Sequence, residues 1–472
     1  MALIATGAVG AAMCAISRVA VDSMEESNQC PPLQGVEAEI LSRAILEQKC
    51  ADCHANTASY SKFWNALSFG KLGRDVDGAK RAFLLEPDYS IRSANVDYLK
   101  MDRVLRTRRM PPASYTAVHL GSRLTPLDVQ ILRNRYREQG AVLRMFSPIS
   151  PAPAPANEWE KARIRLGSLL YHNGALSTND KISCSSCHDL TKGGTDNMSK
   201  SEGVPGADGK PQFGGVNAPT TYNAAGNIRQ FWDGRAADLK EQAGGPPLNP
   251  VEMGYQHPED WAKIAAKLEK DPEIKTLFVL VYGGDGITGD TITDAIAAYE
   301  RTLVTPGSAF DAFLCGNNDA LTDTQKKGLV SFVNRGCVSC HSGPALGGIS
   351  FESINTFADF RDLAVTEDYA EGAYGLRDFS KQERDKDMFR VPVLRNVAMT
   401  APYFHTGSVQ TLEDAVTIMF KTQVGVTPSD AEVNQVTAFL RAQTGKLNGK
   451  PLQALTPEDV NPYAAKPVPH CK

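Results

Sequence analysis

Three copies of one pattern constrain this chain more than any other feature: two cysteines three residues apart, with a histidine directly after the second. They are Cys50-Ala-Asp-Cys53-His54, Cys184-Ser-Ser-Cys187-His188 and Cys337-Val-Ser-Cys340-His341. On a helical turn residues i and i+3 share a face, so both sulfurs reach one planar ligand while the next imidazole rises towards its centre. That arrangement suits a porphyrin joined by two thioethers, with the histidine as iron ligand. Zinc needs four ligands per site, and no second CxxC or HxxxH accompanies any copy. A redox dithiol has no need of the histidine. The pattern therefore predicts three covalently bound haem c groups, with His54, His188 and His341 as axial ligands.

The surroundings of the motifs repeat as well. EAEILSRAILEQ leads into the first, and a helix capped by Thr125, with Pro126 at its first position, follows it and stops at Gly140. NEWEKARIRLGSLLYHN leads to the second motif and DAIAAYERTLV follows it. LTDTQKKGLVSFVNRG leads to the third, and SDAEVNQVTAFLRAQTG, capped by Ser429 and stopped by Gly445, closes it. Three helix, motif, helix units predict a mainly α fold of three cytochrome c-like haem domains in tandem. The alternating Pro and Ala of SPISPAPAPAN mark a semi-rigid linker. The expected organisation is an apolar signal or membrane anchor at 1–25, a monohaem domain at 36–146 and the linker at 147–157. Haem domains at 158–305 and 306–446 and a C-terminal tail at 447–472 complete it. The Gly-, Pro- and Asn-rich stretches GGVNAPTTYNAAGN and LNPVEMGYQHPED are read as long functional loops.

The formal charge of −4 offers no basic field for nucleic acid. The apolar run from Ala2 to Ile16 is read as an export signal or an anchor, although it falls short of the roughly 20 residues a spanning helix needs. It also lacks a basic n-region. Cys14, Cys30, Cys315 and Cys471 lie outside the motifs, and their pairing stays open.

The sixth ligand of each iron decides between electron transfer and chemistry, because methionine closes the iron and raises its potential. For the first haem Met110 in RTRRMPPASY is the best candidate, with Met101 the alternative. Arg106, Arg108 and Arg109 beside it suit haem propionates or a solvated charge cluster equally.

From about Leu166 to Gly445 the chain resembles the bacterial dihaem cytochrome c peroxidases. The segments that carry the likeness are ISCSSCHDLTKGGTDNM, VNAPTTYN, QFWDGRAADLKEQAGGPPLNPVEM, RGCVSCHSG, FRVPVLRNVAMTAPYFHTGSV and TLEDAVTIM. With a third haem domain in front, the whole resembles the trihaem, membrane-associated quinol peroxidases. The resemblance implies that the last two haem domains pack as in the dihaem enzymes. The haem at Cys184, Cys187 and His188 would then be peroxidatic, and that at Cys337, Cys340 and His341 would transfer electrons, closed by Met419. His405 would lie beside the latter, in a supporting position. Trp232 would stand between the two haems and Phe231 near the peroxide pocket. Gln242 and Glu252, ten and twenty residues beyond Trp232, would be the catalytic pair. Asn217, with the carbonyls of Thr400 and Pro402, matches a calcium site, and oxygen ligands suit that hard cation.

One departure stands out. Many relatives hold a histidine in the loop after the peroxidatic motif that plugs the iron, whereas here that loop reads KSEGVPGADGKPQFGG. The expectation is an open iron, with His257 and Met198 as the alternatives for a plug.

These readings imply a periplasmic, exported peroxidase, anchored to the inner membrane, that reduces hydrogen peroxide. Glu252 would move the proton and Gln242 orient the peroxide. Electrons would come from quinol or a small cytochrome, and a homodimer is one oligomeric expectation. A plain multihaem relay is the first alternative, but it leaves the spacing of Gln242 and Glu252 unexplained. A MauG-like dihaem oxidase is the second, and it calls for tyrosine where Met419 stands.

Overall fold

The computed structural model describes residues 146–315, 317–364 and 374–463, together with Leu132. Of two units into which the chain divides, these residues belong to the second, Val142–Lys472, save Leu132. The apolar N-terminus, Cys50, Cys53, His54, Met101, Met110 and the arginines around it lie outside the described residues, as do the helices predicted to flank the first motif.

The described unit is mainly α. In chain order its principal elements are α1 (Glu158–Tyr171), α2 (Cys184–Cys187), α3 (Leu239–Gly244), α4 (Pro272–Tyr282), α5 (Gly289–Glu300) and α6 (Asp323–Asn334). The strands β1 (Phe351–Ser353) and β2 (Met388–Arg390) follow, then α7 (Leu412–Met419) and α8 (Asp430–Arg441). β1 and β2 pair antiparallel, with Phe351 opposite Arg390.

The helix starts follow from local chemistry. Asn157 accepts from the Glu160 amide, Thr322 from Gln325, Thr411 from Asp414 and Ser429 from Glu432, each satisfying a backbone donor that the first turn leaves over. The predicted stop of α8 differs. The helix ends at Arg441, and Gly445 lies four residues beyond it. Its lack of a side chain serves another purpose, since a Cβ there would stand 2.0 Å from the Thr305 carbonyl oxygen.

Each of the two described motifs is flanked by a packed helix pair. α1 packs on α5, and α6 packs on α8. Both crossings are made at a glycine. A Cβ on Gly167 would stand 1.9 Å from Ala295 O and 2.9 Å from Tyr299 Cβ; one on Gly328 would stand 1.9 Å from Gln435 O and 2.8 Å from Phe439 Cβ. The two units thus share one packing device, which the sequence repeat only hinted at. Around the first crossing lies the core of Leu166, Leu170, Tyr171, Ile292, Ile296 and Tyr299. Around the second, Phe439 meets Phe310 and Phe332 edge-on or tilted, at centroid distances of 5.1 and 5.4 Å.

The segment read as a C-terminal tail returns to the first of these cores. Leu447, Leu452 and Val460 are buried in it, and the Tyr299 hydroxyl donates to the Val460 carbonyl at 3.0 Å. The Pro/Ala linker carries neither helix nor strand over 147–155, as its composition predicts, yet Ile149 is buried and its amide donates to Asp311 at 3.1 Å. Between the units Thr305 is a shared acceptor. Asn223 and Asn396 donate to its hydroxyl at 2.8 and 2.9 Å. No helix among the described residues is long and apolar enough to cross a membrane.

Candidate active site

The two described motifs are built for a metal-ligating imidazole. α2 is one turn long and carries Cys184 and Cys187, with His188 as its C-cap. The ring nitrogen Nδ1 of His188 faces the Gly194 carbonyl at 3.3 Å. At the other, Cys337–Ser339 forms a 3-10 turn, and Nδ1 of His341 faces the Leu346 carbonyl at 3.1 Å. A carbonyl only accepts, so Nδ1 carries the proton in both rings and Nε2 keeps its lone pair. Burial holds both imidazoles neutral, moving His188 down and His341 to about 4. None of the four cysteines of these two motifs is closed into a disulfide. Two thiols and one neutral Nε2 donor at each motif fit covalent haem with the histidine on iron. The Tyr171 hydroxyl further pins the His188 carbonyl at 2.8 Å.

The catalytic candidates follow the Cys184–His188 motif in the chain, and Glu252 acts on Cys187 through its charge. Glu252 is partly buried in the loop after Pro250, and burial raises its pKa against the opposing influences of Arg235 and a hydrogen bond from Asn249. Asn249 builds this loop. Its Oδ1 accepts from the Val251 amide at 2.9 Å while its Nδ2 donates to Glu252 Oε1 at 3.0 Å. The segment that follows the Cys184–His188 motif lies directly on this loop, because the Val204 amide donates to the Glu252 carbonyl at 3.0 Å. A Cβ on Gly203 would stand 1.9 Å from Val251 O.

Gln242 is half-buried on α3. Phe231 adopts a left-handed backbone at φ 65°, unusual for an aromatic residue, and its ring carries the Arg235 guanidinium at 3.5 Å. Gly245 at the end of α3 passes close enough that a Cβ would stand 3.2 Å from Phe231 Cζ. Phe231 and Arg235 thus stand together, Arg235 acts on Glu252 through its charge, and the end of α3, the helix that carries Gln242, passes against the Phe231 ring. Asn249 and Arg235 were not singled out in the sequence. The Asn-Pro pair inside LNPVEM signals the turn, and Arg235 stands within QFWDGR.

Trp232 is buried, and its Nε1 donates to the Asn217 carbonyl at 2.8 Å. The Asn217 amide in turn donates to the His405 carbonyl at 2.8 Å. The His405 ring is 1% exposed, stacked on Phe389 at 4.0 Å and edge-on to Trp232 at 6.2 Å. Loops from the two haem units thus join through Trp232, Asn217 and His405. The Asn217 side chain donates its amide to Met198 O at 2.8 Å, which leaves its oxygen as the end for a cation. Asn197 takes the carbonyls on either side of Thr400, donating to Met399 O and Ala401 O at 3.0 and 2.9 Å. Met419 is half-buried at the point where α7 passes into a π-helical turn, Phe420–Val424. Such turns recur at functional sites. His257 is exposed at the start of a 3-10 turn, and Met198 is 44% exposed.

Comparison with known proteins agrees with this geometry. Residues 161–319 match the family described as di-haem cytochrome c peroxidase, and residues 11–138 match a haem-binding domain. The cytochrome c peroxidase Ccp of Escherichia coli K12 is 39% identical over 420 residues, covering 85% of this chain and 86% of that one. The cytochrome c551 peroxidase of Nitrosomonas europaea is 40% identical over 326 residues, covering 69% of this chain and 92% of that one. A solved MauG-like protein associated with microbial copper homeostasis superimposes with a TM-score of 0.54 at 26% identity, over 65% of this chain and 96% of that one. Paired haem motifs on a mainly helical frame, with a carboxylate loop beside the first, define a haem-dependent peroxidase. The chain belongs to the di-haem cytochrome c peroxidase family.

Proposed function

We propose that this chain is a periplasmic enzyme that reduces hydrogen peroxide to two waters with two electrons and two protons. The electrons travel through three haem c groups, the first held by Cys50, Cys53 and His54 with Met110. Membrane quinol is the donor favoured over a soluble cytochrome, on the resemblance of the whole chain and its apolar N-terminus. The observation that carries the reading is Glu252: a partly buried carboxyl, its pKa raised by burial, on a loop packed against the segment that follows the Cys184–His188 motif.

Haem iron, when bound, supplies the electrons and the site at which peroxide is polarised. The polypeptide manages protons and orientation. Ionised Glu252 takes a proton from one peroxide oxygen and delivers it to the other, so that water leaves as the O–O bond breaks. Asn249 and Arg235 keep enough of Glu252 ionised to begin this transfer, against burial that favours the neutral acid. Gln242 orients the peroxide, and Phe231 closes the pocket. At the Cys337–His341 motif Met419 would serve with His341 in holding the iron, and Trp232 with His405 forms the contact between the two units. Asn217 and the carbonyls of Thr400 and Pro402 would hold a calcium ion at the same junction.

The test is anaerobic, peroxide-dependent oxidation of a menaquinol or ubiquinol analogue by the haem-loaded protein, with Glu252→Gln beside it. Turnover that collapses in the variant while all haems remain loaded is the expected result. Equal rates in both would overturn the assignment of Glu252.

A further inference from the structure

Two arginines five residues apart are both buried, and only one is matched. Arg395 pairs with Asp311 at 2.8 Å and donates to Ser308 Oγ, Pro344 O and Ser147 O. Arg390, at the end of β2, is 3% exposed. Its backbone amide donates to Trp232 O at 2.9 Å and its Nε to Phe231 O at 3.1 Å. Its Nη1 is buried with no hydrogen-bond partner. Burial pushes its pKa down, to about 10, and no carboxylate among the described residues offsets it. An uncompensated buried charge costs several kcal/mol, so native proteins pair such groups.

The position of Arg390 narrows the choice of anion. It binds the two residues of the QFWDGR segment that lie between the haem units. Along its own strand, Val391 N donates to Ser350 O at 2.9 Å, which ties β2 to the chain following the Cys337–His341 motif. Pro392, two residues on, acts with Leu346 on the His341 ring through its backbone. The anion is therefore one that sits beside the strand supporting His341, and no carboxylate among the described residues supplies it. A haem carries two propionate carboxylates, and a planar guanidinium with a free edge is suited to hold one.

We infer that Arg390 is a positioning residue that holds a haem propionate with its free guanidinium edge while its Nε fixes the Phe231 carbonyl. This rests on the haem-peroxidase reading and adds a role to it: the same side chain that anchors the cofactor sets the main chain between the two haems. Its charge also opposes oxidation of the haem it holds, because a ferric centre is the more positive state.

The experiment is a spectroelectrochemical titration of the haem-loaded parent, Arg390→Gln and Arg390→Lys, with peroxide turnover measured on the same parent sample. The glutamine variant is expected to lower the reduced-to-oxidised ratio of one haem at least tenfold at fixed potential, a shift of about 59 mV for one electron. Unmoved potentials in a fully loaded glutamine variant would overturn the assignment. If that variant fails to take up haem, the lysine variant decides. A buried lysine gives up its proton more readily than arginine, so the potential of one haem must fall as pH rises where the parent's does not. Identical profiles would overturn the proposal. Failure of the parent to consume peroxide would instead count against the peroxidase reading, leaving the propionate contact to stand or fall on the potentials.

Discussion

The side-chain amide of Asn249 donates to Oε1 of Glu252 at 3.0 Å, while its carbonyl oxygen holds the turn that carries Glu252. The two ends of one residue therefore do separable work, and Asn249→Asp separates them. The variant keeps the acceptor for the Val251 amide and places a second carboxylate where the donor stood. Like charge disfavours the ionised form, so the pKa of Glu252, already raised by burial, rises further. Glu252 must be ionised to accept the first proton, so the acid limb of kcat/KM should move to higher pH, by about one unit or more. A pH–rate profile checks this. Activity should be lost at low pH and recover towards the parent's at high pH.

Trp232 makes a different kind of contact, since its indole donates to a main-chain carbonyl that is itself part of the junction. Trp232→Phe keeps a ring but leaves the buried Asn217 carbonyl without this donor, at a cost of about 1–3 kcal/mol. Denaturant unfolding should register that loss. Stopped-flow absorbance should show slower electron equilibration between the two haems, with little change in the first reaction with peroxide.

How far these relationships were legible in the sequence depends on their range. The motifs, the flanking helices α1, α5, α6 and α8 and their caps follow from local spacing, and the structure has them with small differences at the ends. The loop cluster about Glu252 was visible as two residues at family spacing. Asn249 and Arg235 were not, because a turn residue and one exposed arginine carry no periodicity to flag them. Arg390 is the clearest case. In FRVPVLRNV it looks like Arg395, and only the fold shows that one has Asp311 and the other has no side-chain anion among the described residues. Likewise nothing local in KLNGKPLQAL says that Leu447 and Leu452 belong to a core built some 150 to 290 residues earlier.

Glu300 ends α5, 4% exposed, with Oε2 lacking a hydrogen-bond partner. Burial raises its pKa from 4.5 to about 8. The folded chain thus holds a proton that the unfolded chain releases between those values, so stability falls as pH rises from about 4.5 to about 8 and is fully present below that window. Glu300→Gln keeps the shape and removes the charge. Its melting temperature should match the parent's near pH 4 and exceed it near pH 8, with a difference on the order of a few kcal/mol in stability. Thermal unfolding at both pH values measures this, and parallel curves would show that Glu300 does not titrate in the window.

The paired glycines give a last expectation, because they make the same contact in both haem units. Gly167 crosses α5 where a Cβ would meet Ala295 O at 1.9 Å, and Gly328 crosses α8 where one would meet Gln435 O at 1.9 Å. In each case the obstacle is backbone, which cannot swing aside as a side-chain tip can. A methyl group must push the helices apart, and overpacking of this kind costs typically about 1–3 kcal/mol. Alanine's better helix propensity returns up to about 1 kcal/mol, so it does not cancel the clash. Gly167→Ala and Gly328→Ala should each destabilise the protein. Each should also loosen mainly its own unit, since the cores around Tyr299 and Phe439 are built on different helix pairs. Hydrogen exchange read by mass spectrometry should show faster exchange in α1 and α5 for the first variant, and in α6 and α8 for the second. Uniform loosening in both would mean that the two crossings unfold together as a single cooperative element.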